Sequence, residues 1–252
     1  MKLHFKKFGN GQPLFILHGL FGSSDNWQTL GKKFSSHFTV YLIDQRNHGH
    51  SFHIDHINYD LMADDLNELI EIENISDINL LGHSMGGKTA MRFCQKYPAS
   101  ISKLIVADIG RKKYPMHHEK IIEGLSAIDF NLVKSRNGAK EILMNYIQDA
   151  GTLQFLLKNL YWIEKGQLAW RMNLPAIIEN MDMILAEIPP EIVLTPTLFL
   201  EGEKSSYIEQ SDYDDLLYYF PNSEFETIYN AGHWLHAENP IDFYDIVTDF
   251  LA

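Results

Sequence analysis

A lone cysteine, Cys94, stands in the chain, so an internal disulfide and a thiolate metal cluster are both ruled out. It falls within the helical stretch MRFCQKY, which marks it as a small packed side chain rather than a redox centre. Positive charge is scarce too. The 21 Lys and Arg face 33 Asp and Glu, for a formal net charge of −12, a balance that repels phosphate backbones and anionic head groups and argues against a nucleic-acid partner. Long apolar runs are missing: none approaches the ~20 residues a membrane helix needs. The opening MKLHFKKFGNGQPLFILHGLF has its short apolar stretch cut by His18 and Gly19 and lacks a small-residue cleavage site, so it does not read as a signal peptide, and a cytoplasmic protein is expected. Repeats, low-complexity tracts and flexible linkers are absent as well. The histidines show no ligand-like spacing with acids, so neither a metal nor a cofactor is implied.

What is present is ordinary globular material. Hydrophobic residues make up 45% and charged residues 21% of 252, enough for one α/β domain with a single core. Residues 1 to 17 read as a hairpin, KLHFKKF and PLFIL around a GNGQ turn. Further apolar runs follow at FTVYLI, INLLG, KLIVAD and PTLFLE, separated by helical stretches such as YDLMADDLNELIEI. Runs that are nearly continuous rather than alternating predict parallel strands covered on both faces, a doubly wound α/β sheet. Between these runs, residues 111–189 lose the strand signal and show Leu, Ile, Met, Tyr and Trp at helical spacing. They are expected to form a helical cap inserted into a core of residues 1–110 and 190–252. A stripe of Leu153, Leu156, Leu157, Leu160 and Tyr161 in this segment is read as packing first and as an acyl cradle second.

The chemistry sits in INLLGHSMGGKTAMRF, where an apolar strand runs into Gly82-His83-Ser84-Met85-Gly86 and then a helix. Such a nucleophile elbow holds its serine on a strained turn, and flanking residues without Cβ (Gly82, Gly86) let the chain pass tightly. Ser84 is therefore the expected nucleophile, with the Met85 amide one donor to a developing oxyanion. A second amide is expected from the loop His18-Gly19-Leu20-Phe21-Gly22, Leu20 preferred and Phe21 the alternative. The base comes last in this chain order, and His233 in NAGHWLHAENP fits; its rival is His236, and Gly232 favours the former. The acid normally stands three residues after a glycine on the late strand, but FLEGEKSSY puts Ser205 there. A hydroxyl cannot balance an imidazolium, so the carboxylate is sought elsewhere. Asp108, ending KLIVAD one strand after the elbow, is assigned that role, with Glu201 and Glu203 as rivals. Arg111, Lys112 and Lys113 follow it and could draw the phosphates of coenzyme A; a solvated loop is the plainer reading. His117 and His118 are read as exposed or merely hydrogen-bonded.

The segments HGLFGSSDNW, DQRNHGHS, GHSMGGK, ADIG, QFLLK and AGHWLHAE together resemble the bacterial YbfF-type esterases of the α/β-hydrolase superfamily, nearly end to end. The resemblance implies an esterase with a small helical cap that acts on short acyl esters and acyl-CoA thioesters. It also implies the acid at Asp108 and an auxiliary serine at Ser205. Glu203, close to Ser205 in EGEKSSY, keeps a claim as the acid. The expected partner is thus a small ester or thioester. Carbon–carbon bond hydrolases, peptidases and perhydrolases of the same fold, or a slow ligand-binding receptor, share these residues and remain alternatives; oligomeric state is not readable.

Overall fold

The computed structural model describes residues 2–252. The first strands are β1 (Phe5–Phe8), β2 (Gln12–Leu17), β3 (Phe38–Ile43), β4 (Ile78–His83) and β5 (Ile101–Ala107). Strands β6 (Leu160–Glu164) and β7 (Gln167–Trp170) pair only with each other, antiparallel, and β8 (Thr197–Gly202) and β9 (Ser223–Ile228) complete the main sheet. That sheet has seven strands in the order β1-β3-β2-β4-β5-β8-β9, all parallel except β1. Helices α1 (Gln28–Phe34), α2 (Tyr59–Ile72) and α3 (Met85–Lys96) connect the first strands. After β5 come α4 (Glu119–Ser126), α5 (Arg136–Leu143) and α6 (Ala150–Leu157), then the β6–β7 pair, then α7 (Leu174–Glu179) and α8 (Met181–Leu185). The chain ends with α9 (Tyr213–Tyr219), α10 (Leu235–Glu238) and α11 (Pro240–Leu251).

Period-two geometry explains the continuous apolar runs. In β2, Phe15 and Leu17 join the larger hydrophobic cluster with α2 and α3, while Leu14 and Ile16 join a second cluster with α1 and α11. Both faces are dry, so both sets of alternating side chains are apolar. Cys94 is buried in α3 within the larger cluster. Among the described residues no helix is long and apolar enough to cross a membrane.

Two expectations are corrected. The hairpin of residues 1 to 17 does not form: β1 pairs with β3, and β2 lies between β3 and β4. PLFIL carries apolar side chains toward both faces and is best placed inside the sheet, whereas FKKF, with Lys6 and Lys7, suits an edge. The glycine turn serves another purpose, since Gly9 takes a φ of +73° and a Cβ there would overlap the carbonyls of Ser35 and Phe38. The second correction concerns the inserted segment, which is not all helix. Helix α6 stops at Leu157, and Leu160 and Tyr161 lie in β6; the tight turn to β7 runs through Gly166 at φ +85°.

Candidate active site

The site gathers at the C-terminal ends of β2, β4, β5 and β8, where open α/β sheets bind ligands. Strand β4 ends at His83 and α3 begins at Met85, so Ser84 must turn the chain alone. It does so at φ 53° and ψ −119°, a region costly for a residue with a side chain and held here by its surroundings. Its N–H donates to Ala107 O (3.0 Å), and its carbonyl accepts from Gly87 and Lys88 at the start of α3 (2.8 and 3.1 Å). A Cβ on Gly82 would overlap Gly86 O, and one on Gly86 would overlap Leu17 O. Both glycines are thus demanded by close approach.

Asp108 follows β5 directly, at φ 52° and fully buried. Its Oδ2 accepts from His233 Nδ1 (2.7 Å) and from Ser205 Oγ (2.5 Å), and its Oδ1 accepts from Gly202 N–H (3.1 Å). Ser205, in the turn after β8, therefore steadies the carboxylate. The rival acids look elsewhere: Glu201 accepts from Tyr213 and Thr227, and Glu203 accepts from the Asn230 amide at the surface. With Nδ1 donating to Asp108, the imidazole of His233 keeps Nε2 as its proton acceptor. Its ring lies flat against Tyr207, 3.8 Å between centroids, and its carbonyl accepts from His83 Nε2 (2.8 Å). His236 is instead buried and stacked on Trp27 at 4.1 Å, and burial, aided by His233, pushes its pKa down to about 3.

The loop after β2 separates the two candidate amides. Phe21 N–H is already spent on His48 Nε2 (3.3 Å), which accepts because His48 Nδ1–H donates to Arg46 O (2.9 Å). Burial holds His48 neutral, its pKa pushed down to about 3. Of the two, Leu20 lines the same recess as Ser84 and Met85, and the Met85 N–H has no partner inside its own helix. The DQRNHGHS segment thus braces this loop: Gln45 N–H also donates to His18 Nε2 (3.1 Å), and its side-chain amide to His18 O (2.6 Å).

Ser84 and His233 share a cavity of about 210 Å³ walled by Leu20, Phe155, Leu156 and Trp234. A smaller recess of about 20 Å³ that also reaches Ser84 is lined by Met85, Lys88, Tyr114 and Ile184. A family model described as the alpha/beta hydrolase fold matches residues 12–141. Esterase YbfF of Escherichia coli is 33% identical over 92% of this chain and 89% of its own length. The sn-1-specific diacylglycerol lipase ABHD11 of Mus musculus is 35% identical over 95% and 80%. A solved marine microorganism esterase superposes with a TM-score of 0.96 at 43% identity, covering 99% of each chain. The chain is a YbfF-type esterase of the α/β-hydrolase family. Its activity is that of an esterase/lipase-type hydrolase.

Within this esterase, several readings change. Of the apolar stripe only Leu156 lines the cavity, joined by Thr152 and Phe155; Leu153 packs into the core cluster and Leu157 against it, and Leu160 and Tyr161 lie beyond α6 in β6. Arg111 is paired with Asp215 (2.6 Å) and Lys112 with Asp212 (2.6 Å), so neither is a free cation at the mouth. His118 is no bystander; it lines both cavities. Sequence reasoning also missed Lys88. This side chain is buried and donates to Lys112 O and Ala186 O (2.6 and 2.5 Å), fastening both ends of the inserted segment to α3. Burial pushes its pKa down to about 7. The signal was there, four residues after Ser84 and so on the same face of the helix. Tyr207, by contrast, sits in an irregular loop with no periodicity to betray it.

Proposed function

We propose that this esterase hydrolyses short acyl esters by two-step acyl transfer, with Ser84 as nucleophile, His233 as general base and acid, and Asp108 as the orienting carboxylate. The observation that carries the reading is the 2.7 Å contact between His233 Nδ1 and the buried Asp108 carboxylate, with Ser84 and His233 facing one cavity. In the first step Ser84 Oγ attacks the ester carbonyl while His233 Nε2 takes its proton. The Leu20 and Met85 amides hold the oxyanion, and each such donor is worth ~10²–10³ in rate. His233 then protonates the departing alcohol, water attacks the acyl-enzyme, and the same imidazole accepts the water's proton. Asp108 keeps the required tautomer and balances the imidazolium, and Ser205 steadies Asp108. No cofactor is needed for this chemistry. Residues 111–189 act as a cap over a core of 1–110 and 190–252.

A cavity of about 210 Å³ lies below the ~300–1,000 Å³ of drug-sized sites, which favours short acyl groups. Coenzyme A thioesters are open to the same attack, but with Arg111 and Lys112 paired only Lys113 of the three cations is left to draw their phosphates, and the simple esters are the preferred substrates. A panel of ethyl, butyl and aryl esters from acetate to octanoate, with the matching acyl-CoAs, tests the reading against Ser84→Ala. Hydrolysis of short esters that vanishes in the variant is expected. Turnover that survives it would remove the reading.

A further inference from the structure

Several buried histidines surround the site, and the hydrogen bonding of their rings differs. His18, His48 and His83 each bond through the ring to backbone. The Nδ1 of His236 lacks a partner, but its ring is sealed against Trp27. His118, at the head of α4, is different. Its Nδ1 is buried with no hydrogen-bond partner, and only ring contacts hold it, with His117 (4.0 Å) and edge-on with Phe21 (6.1 Å). This residue is part of the wall of both cavities that include Ser84.

An imidazole that lines a substrate cavity while its Nδ1 finds no partner in the protein can gain one from a ligand once the ring turns a nitrogen toward it. Burial, with His117 and His233 nearby, pushes the pKa of His118 down to about 3, so the ring is neutral in ordinary buffers. A neutral imidazole offers one donor and one acceptor. The nitrogen that meets a ligand is a donor in one tautomer and an acceptor in the other, and a hydroxyl can answer either, whereas an apolar group answers neither. Ile121, Phe155 and Leu156 supply apolar wall to the same cavity, and His117, Thr152 and Tyr207 are its further polar side chains beside the Ser84 and His233 pair.

We propose that His118 is a specificity-determining residue that hydrogen-bonds a hydroxyl on the substrate, so that the enzyme prefers hydroxyl-bearing esters to apolar isosteres of the same size. The inference rests on the esterase reading above. Two isosteric pairs test it: 2-hydroxyethyl butyrate against propyl butyrate, with the hydroxyl on the alcohol, and ethyl 3-hydroxybutyrate against ethyl 3-methylbutyrate, with it on the acyl chain. The wild-type protein is expected to favour the hydroxyl ester in at least one pair by ~10-fold or more in kcat/KM. His118→Phe, which keeps an aromatic ring and removes both nitrogens, brings that ratio toward one, and His118→Asn restores part of it. Wild-type hydrolysis without preference in either pair overturns the proposal while leaving the esterase reading intact, as does a ratio unchanged in His118→Phe. If that variant fails to fold, the wild-type ratio and the Asn variant decide alone. Hydrolysis of none of the four esters overturns both.

Discussion

Asp108 carries the greatest weight at the scale of single residues. Its carboxylate is fully buried and receives three hydrogen bonds, from His233, Ser205 and Gly202. Asp108→Asn should present an amide N–H or a neutral oxygen to His233, favouring the wrong tautomer, and kcat on an aryl butyrate should fall by ~10⁴. Ser205→Ala removes one charge-assisted hydrogen bond and should cost ~10- to 100-fold, whereas Glu203→Gln should stay within about twofold, as expected of a surface change. Near-full activity in Asp108→Asn would refute the assignment. Sequence logic reached Asp108 by elimination, since strand order brings the end of β5 beside the end of β4. It could not reveal that Ser205 bonds the same carboxylate oxygen as His233. That fact depends on the path of the loop after β8, and loop paths carry no periodic signal.

Elements explain both the strength of the elbow and the two errors of sequence reading. Strand, sharp turn and helix are legible in INLLGHSMGGK because the apolar period, the glycines and the helical stretch all agree. Gly86→Ala puts a methyl group against the backbone carbonyls of Leu17 and His18, which cannot rotate away as a side chain could. It should lower the urea midpoint by an amount equivalent to about 1–3 kcal/mol and abolish burst kinetics, because β2 and the oxyanion loop must shift together. An unaltered midpoint with full activity would contradict that packing. The N-terminal hairpin was misread because a GNGQ turn signals a reversal of direction without naming the partner strand; here β3 comes between β1 and β2. The β6–β7 pair was missed because LYWIE prolongs the apolar spacing of α6 for only a few residues, and short apolar runs fit helix and strand alike.

For the whole molecule, net charge and buried histidines set the response to pH. His48 and His236 are buried, and both have their pKa pushed down to about 3. Between about 6.5 and 3 the unfolded chain therefore binds protons that the native fold refuses, so stability falls as pH drops through that window. Each group contributes a slope of ~1.4 kcal/mol per pH unit. The thermal midpoint should drop steadily from pH 7 to pH 4, and His236→Phe, which keeps a ring over Trp27, should make the decline shallower; an equal slope would count against a neutral His236. The sheet, its doubly wound architecture and the place of the candidate site at the C-terminal ends of its strands were legible from apolar runs and glycine placement, though the partner of β1 was not. The cavity walls were not, because they depend on how the inserted segment lies over the core. Ser84 is the residue on which the chemistry most directly depends, and intact-protein and peptide mass spectrometry after fluorophosphonate treatment tests it. One adduct on the peptide bearing Ser84, lost in Ser84→Ala and strongly slowed in Asp108→Asn, is the predicted result, and an adduct on another residue, or ester hydrolysis that persists in Ser84→Ala, would contradict it.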